Sequence, residues 1–90
     1  MIAITREQGT GRVILKTRGE FDDETVSALR EALWLTDDDA PILIDLAEAG
    51  ELKATVDIGL LSALAFRSGP VAFRNAHRHH RRLVTAVKSA

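Results

Sequence analysis

Cysteine is absent from this 90-residue chain, which excludes a disulfide scaffold, a thiolate metal site and a cysteine nucleophile. Aromatics are scarce, three Phe and one Trp, so the basic residues lack the interleaved rings that stack on nucleic-acid bases. No apolar run approaches the roughly 20 residues needed to cross a bilayer. Met1-Ile2-Ala3-Ile4 lacks the basic-then-apolar plan of a signal peptide. No Gly-rich phosphate loop occurs, and Gly9-Thr10-Gly11 has the composition of a turn. These absences predict a soluble, cytoplasmic domain without membrane insertion. A chain of this length is expected to form one domain, residues 1–90, burying about 60–65% of its unfolded surface. That is too small for a multi-domain enzyme or a large-cofactor fold.

What is present is an uneven distribution of charge. All 13 acidic residues lie at or before Asp57, where six basic residues leave a balance of −7. Residues 58–90 carry Arg67, Arg74, Arg78, Arg81, Arg82 and Lys88 with no acid, a balance of +6. Such a split signals either a basic tail for an anionic partner or internal complementarity within one folded unit.

Ile2-Ala3-Ile4-Thr5 and Arg12 to Arg18 read as two strands of a hairpin, with Gly19 breaking the second. Phe21-Asp22-Asp23-Glu24 opens a helix in which Val26, Leu29 and Leu33 form one stripe. It should end near Thr36, before Asp37-Asp38-Asp39 and Pro41. Ile42-Leu43-Ile44-Asp45-Leu46 reads as a central strand covered on both faces. An irregular stretch, 47–54, and a helix from Thr55 to Ser68 follow. Gly69-Pro70 then leads to a strand at Val71-Ala72-Phe73, and His77 to Ser89 reads as a last helix with Ala76, His80, Leu83 and Val87 in register. The order β-β-α-β-α-β-α predicts an α/β fold with a four-stranded mixed sheet packed with helices. The charge boundary falls inside the second helix. The split therefore predicts two faces of one domain, an acidic hairpin and first-helix side and a basic third-helix side.

Four segments, in order, resemble the STAS family of sulfate transporters and anti-sigma factor antagonists. Gly19-Glu20-Phe21-Asp22 is similar to the family's Gly-Glu-Leu/Phe-Asp turn, and Ile42 to Leu46 to its central strand ending in Asp-Leu. Ile58-Gly59-Leu60-Leu61-Ser62-Ala63-Leu64 resembles the Leu-Gly-x-Leu helix, and His80-Arg81-Arg82-Leu83-Val84 the Val-Arg-Arg-Leu-Leu of the next helix. The family's Asp-Ser-Ser-Gly, which carries a regulatory phosphoserine in many members, is matched here by Ala54-Thr55-Val56-Asp57. Thr55 falls on the phosphoacceptor position but lacks the preceding Asp and the following Gly. The resemblance implies a STAS-like fold whose loop and following helix contact a partner protein.

Thr55 has two readings that do not exclude one another: an N-cap of the second helix, and a phosphate acceptor at a helix end that favours anions. Asp57 is either a favourable first-turn charge or a fixed stand-in for the family's phosphate. Val56, Leu60 and Ala63 lie roughly opposite Ile58, Leu61 and Ala65, and Gly59 permits close approach. That gives the helix an outward apolar side suited to docking. His77 and His80 share a helix face but have no completing ligand nearby, so no metal site is expected. His80 reads instead as a half-buried core residue. The serines carry no catalytic motif around them, and Trp34 reads as a flank of the first helix.

The expectation is a non-enzymatic signalling domain, without cofactor or metal, acting in transcription regulation as a monomer or homodimer. The candidate phosphoacceptor is Thr55, and the candidate partner-binding residues are Ala54, Thr55, Val56, Asp57, Gly59, Leu60 and Ala63. By resemblance the partner is an ATP-binding anti-sigma factor kinase; the alternative is an accessory role on a lipid-transport ATPase. From another class, the basic third helix suggests a small nucleic-acid or anion-binding domain.

Overall fold

The computed structural model describes residues 2–7, 9–52, 64 and 67–89. Its elements are β1 (Ile2–Arg6), β2 (Val13–Phe21), α1 (Asp23–Trp34), β3 (Ile42–Leu52), β4 (Val71–Arg74), a 3-10 turn (Arg78–His80) and α2 (Arg81–Ser89). The sheet order is β1-β2-β3-β4. β1 and β2 are antiparallel, whereas β2–β3 and β3–β4 are parallel. The expected four-stranded mixed sheet of an α/β fold is therefore present. No helix among the described residues is long and apolar enough to cross a membrane.

Register explains which side chains meet. Val13 and Leu15 of β2 stand in line with Ile42 and Ile44 of β3, and these with Val71 and Phe73 of β4. That face packs against Val26, Leu29, Ala32 and Leu33 of α1, with Leu64 and Leu83 closing the same core. The sequence stripe Val26-Leu29-Leu33 is thus the buried stripe of α1. The other face carries the rows Thr5-Ile14-Leu43-Ala72 and Ala3-Lys16-Asp45-Arg74. Leu43 is buried there, outside the main core.

Three boundaries differ from expectation. Gly19 does not end β2: at φ +77° it sits where the β2–β3 register shifts, and the strand continues to Phe21. A glycine accepts the positive φ that such an irregularity demands without a Cβ penalty. The stretch from Ala47, expected to be irregular, extends β3 to Leu52, because Glu48, Ala49 and Leu52 pair with Arg18, Gly19 and Phe21. The last helix begins late: residues 78–80 form a 3-10 turn before α2, which leaves Ala76 exposed rather than on the apolar register. Of the helix expected over 55–68, Leu64 is helical and buried, while Arg67 and Ser68 are already out of helix.

Charge is largely matched across strands. Arg18 Nε lies 2.7 Å and Lys16 Nζ 3.4 Å from Glu48, and Arg12 lies 2.7 Å from Glu7. Arg74, from the basic half, reaches Asp45, from the acidic half, at 2.9 Å. Arg78, Arg81 and Arg82 remain on the exposed surface at the start of α2. The division of charge in the sequence is thus partly internal complementarity.

At the opposite ends of the parallel strands, a loop is clamped. The Arg67 guanidinium donates to the carbonyls of Asp37 and Ala40 at 2.8 Å and of Leu33 at 3.4 Å. Asp38 accepts from the Ser68 hydroxyl at 2.5 Å and its backbone N–H at 3.3 Å. Gly69 is packed so closely here that a Cβ would lie 2.6 Å from the Asp39 carbonyl oxygen and 2.7 Å from that of Ala40.

Candidate functional site

The carboxyl ends of parallel strands are where open α/β sheets place their functional groups, and here polar chemistry gathers at those ends. Asp45 sits on a central strand between apolar neighbours and is 4% exposed. A buried carboxylate is tolerated only when fully bonded, and this one is. Its Oδ1 accepts from the Ala47 N–H at 3.0 Å and the Asn75 amide at 3.3 Å; its Oδ2 accepts from Arg74 Nη2 at 2.9 Å and Nε at 3.3 Å. Burial pushes the carboxyl pKa upward, but the Ala47 N–H, Arg74 and Asn75 together outweigh it and hold the group below its ordinary value. Asn75 adopts φ +59°, a left-handed conformation in which Asn is enriched. This geometry turns the chain after β4 and brings the amide onto Asp45.

Two residues further on, the chain is latched to β3. His77 Nε2 donates to the Ala47 carbonyl at 3.0 Å. His80, with no exposed surface, accepts the His77 backbone N–H on Nδ1 at 3.1 Å and donates from Nε2 to the Gly50 carbonyl at 2.8 Å. Those partners define the neutral Nε2–H tautomer. The ring packs on Phe21 at a centroid distance of 6.3 Å, with His79 at 4.2 Å and His77 at 5.5 Å. Burial first, then the neighbouring His79 and His77, lower the His80 pKa against the opposing pull of Gly50. The expected half-buried core histidine is therefore fully buried and bonded at both nitrogens. Among the described residues no group of three or more His, Asp or Glu side chains is placed to hold a metal.

The turn from β2 to α1 completes this end. Asp22 caps α1 by accepting from the Thr25 N–H at 3.0 Å, while the Thr25 hydroxyl donates to the Glu20 carbonyl at 2.8 Å. Gly19, Glu20 and Phe21 line one side of an open depression of about 520 Å³, and Ala47 to Glu51 line the other. Its lining mixes the small Gly19, Ala47, Ala49 and Gly50 with Phe21 and the acidic Glu20, Glu48 and Glu51.

All of the sequence-predicted site residues, Ala54, Thr55, Val56, Asp57, Gly59, Leu60 and Ala63, lie outside the described residues. What is described is the frame on either side: β3 running to Leu52, then Leu64 in the core. Sequence reasoning did not single out the Asp45–Arg74–Asn75 node. Its signal was available, since an Asp inside an apolar strand requires a partner and Arg74-Asn75 follows the neighbouring strand. The chain matches no protein-family model, and no curated protein matches it.

Proposed function

We propose that this chain is a STAS-like protein-interaction domain of the anti-sigma factor antagonist kind, docking on a regulatory protein without catalysing a reaction. One arrangement carries the reading. The Gly19-Glu20-Phe21-Asp22 segment closes β2, leads through Asp22 directly into α1, and lies in register with the end of β3, from Gly19 opposite Ala49 to Phe21 opposite Leu52. Segment 54–64 follows that end in the sequence, and the contacts are the apolar Val56, Leu60 and Ala63, whose helical spacing in the sequence sets them apart from Ile58, Leu61 and Ala65. In STAS domains this loop and helix form the partner surface, and the resemblance brings that role to the same segment here. Ala54-Thr55-Val56-Asp57 keeps a hydroxyl but not the flanking Asp and Gly, so the docking is constitutive or scaffolding rather than phosphate-switched. The partner is an ATP-binding kinase-like regulator.

The test is binding of the purified chain to ATP-binding kinase-like proteins encoded beside it, compared with Leu60→Asp. Saturable binding lost in a variant of unchanged circular dichroism supports the reading. Binding to none of them, or equal binding by Leu60→Asp, overturns it. Mass spectrometry after incubation with such a kinase and ATP reads Thr55 directly and is expected to find no phosphate. A second reading rests on exposed Arg78, Arg81 and Arg82. Steeply salt-dependent binding to DNA or RNA, weakened by Arg81→Glu, is its signature.

A further inference from the structure

The sole tryptophan of the chain stands almost entirely in solvent, and that is unusual for a residue whose large ring ordinarily contributes to a core or an interface. Trp34 is 87% exposed and Leu35, its neighbour, 75%. They project from the end of α1, where Trp34 forms one wall of an open depression of about 610 Å³ whose other walls are Ser27, Arg30, Glu31, Leu33, Asp38 and Arg67. Ser27, Glu31 and Trp34 fall at i, i+4 and i+7, one stripe of the helix pointing away from the core. The far wall is rigid, because Arg67 is spent on three carbonyls and Asp38 on Ser68. Arg30 and Glu31, by contrast, make no ion pair with one another or with any other described residue.

We propose that this face of α1 is where two copies of the chain meet, each placing Trp34 in the depression beside the other's α1. The occupant is a second copy because the patch contains both halves of a fit: an exposed ring on the rim of a hollow, and Arg30 beside Glu31, neither ion-paired among the described residues. A two-fold axis through such a patch sets each Arg30 against the other copy's Glu31 and each indole against the other hollow. The interface is small. Two indoles remove roughly 300–500 Å² from water, well short of the ~1,200–2,000 Å² of a stable complex. Association is therefore weak and concentration-dependent, and it is independent of the proposed docking through 54–64.

The chain reports on itself, since Trp34 is its only tryptophan and tyrosine is absent. Sedimentation velocity and fluorescence are followed together from about 1 µM to about 1 mM, the range in which a patch of this size half-saturates. The expected result is a rise toward twice the monomer mass, with a shift of Trp34 emission to shorter wavelength over the same range. Trp34→Ala, Arg30→Glu and Glu31→Arg each remain monomeric with unchanged circular dichroism, and mixing the two charge variants restores association. A monomer at every concentration overturns the proposal. So does association that leaves the emission unmoved, which assigns it to another face. A mixture of charge variants that stays monomeric, or emission that shifts only on adding lipid vesicles, also overturns it.

Discussion

Exchanging His80 for Phe separates the bonding of this residue from its bulk. The ring of Phe keeps most of the volume packed on Phe21, but it can neither accept from the His77 N–H nor donate to the Gly50 carbonyl. Two backbone groups at a fully buried side chain are left without partners, at about 1–3 kcal/mol each, and the more apolar ring offsets a part of that. The expected cost is about 2–4 kcal/mol, a large share of a domain stability of about 5–15 kcal/mol. Urea unfolding followed by far-UV circular dichroism measures it as a fall in midpoint at constant slope. Tryptophan emission is a poor probe here, because Trp34 is exposed in the folded state. The pH dependence supplies the second arm. His80 has its pKa lowered on folding from 6.5, so the unfolded chain takes up the proton first. Its contribution is whole above pH 6.5 and is lost as pH falls from there toward the lowered value, at up to about 1.4 kcal/mol per pH unit. His80→Phe lacks that component and has a flatter profile below pH 6.5. A variant within about 1 kcal/mol of the parent, or one with an equally steep acid limb, would refute the latch.

Other perturbations address the rest of the frame. Gly69→Ala drives a Cβ into the carbonyls of Asp39 and Ala40, and it is expected to cost about 1–3 kcal/mol in thermal or chemical unfolding, as overpacking does. Arg74→Ala leaves the buried Asp45 with only the Ala47 N–H and Asn75. Because Arg74 is half-exposed, the loss is about 1–3 kcal/mol, below that of a fully buried pair. The same variant raises the Asp45 pKa, so acid unfolding, read by circular dichroism, moves to higher pH than in the parent. Arg67→Met releases the loop carbonyls of Asp37 and Ala40 and that of Leu33 in α1, and is expected to lower stability by about 1–2 kcal/mol, with faster hydrogen exchange at Ala40 and Gly69.

The sequence was most legible where side-chain period and cap chemistry agreed. Val26, Leu29 and Leu33 with Asp22 ahead of them define α1 almost to the residue, and the apolar run 42–46 is the most buried strand segment. It was least legible where long-range pairing overrode local signals. Gly19 looks like a strand breaker until β3 is set beside it, because only then does its positive φ become a register shift that lets Phe21 reach the core. Ala47 to Leu52 is polar and small enough to read as a loop, and it is a strand solely because β2 offers backbone partners. The node on Asp45 joins residues about 30 positions apart in the chain, beyond the reach of any spacing rule. His80 lay on the correct stripe, but its two nitrogens are bonded to backbone groups that no side-chain pattern encodes.

The clamp of Arg67, Ser68 and Gly69 on the loop 37–40 has a mechanical consequence when taken with the pairing of Leu52 to Phe21. Leu52 is paired with Phe21 at one end of the parallel strands and Arg67 is bonded to the loop 37–40 at the other, so both flanks of segment 53–66 are fixed, with Leu64 buried in the core between them. Force applied at either flank is carried into the β2–β3 pairing and the loop before β3.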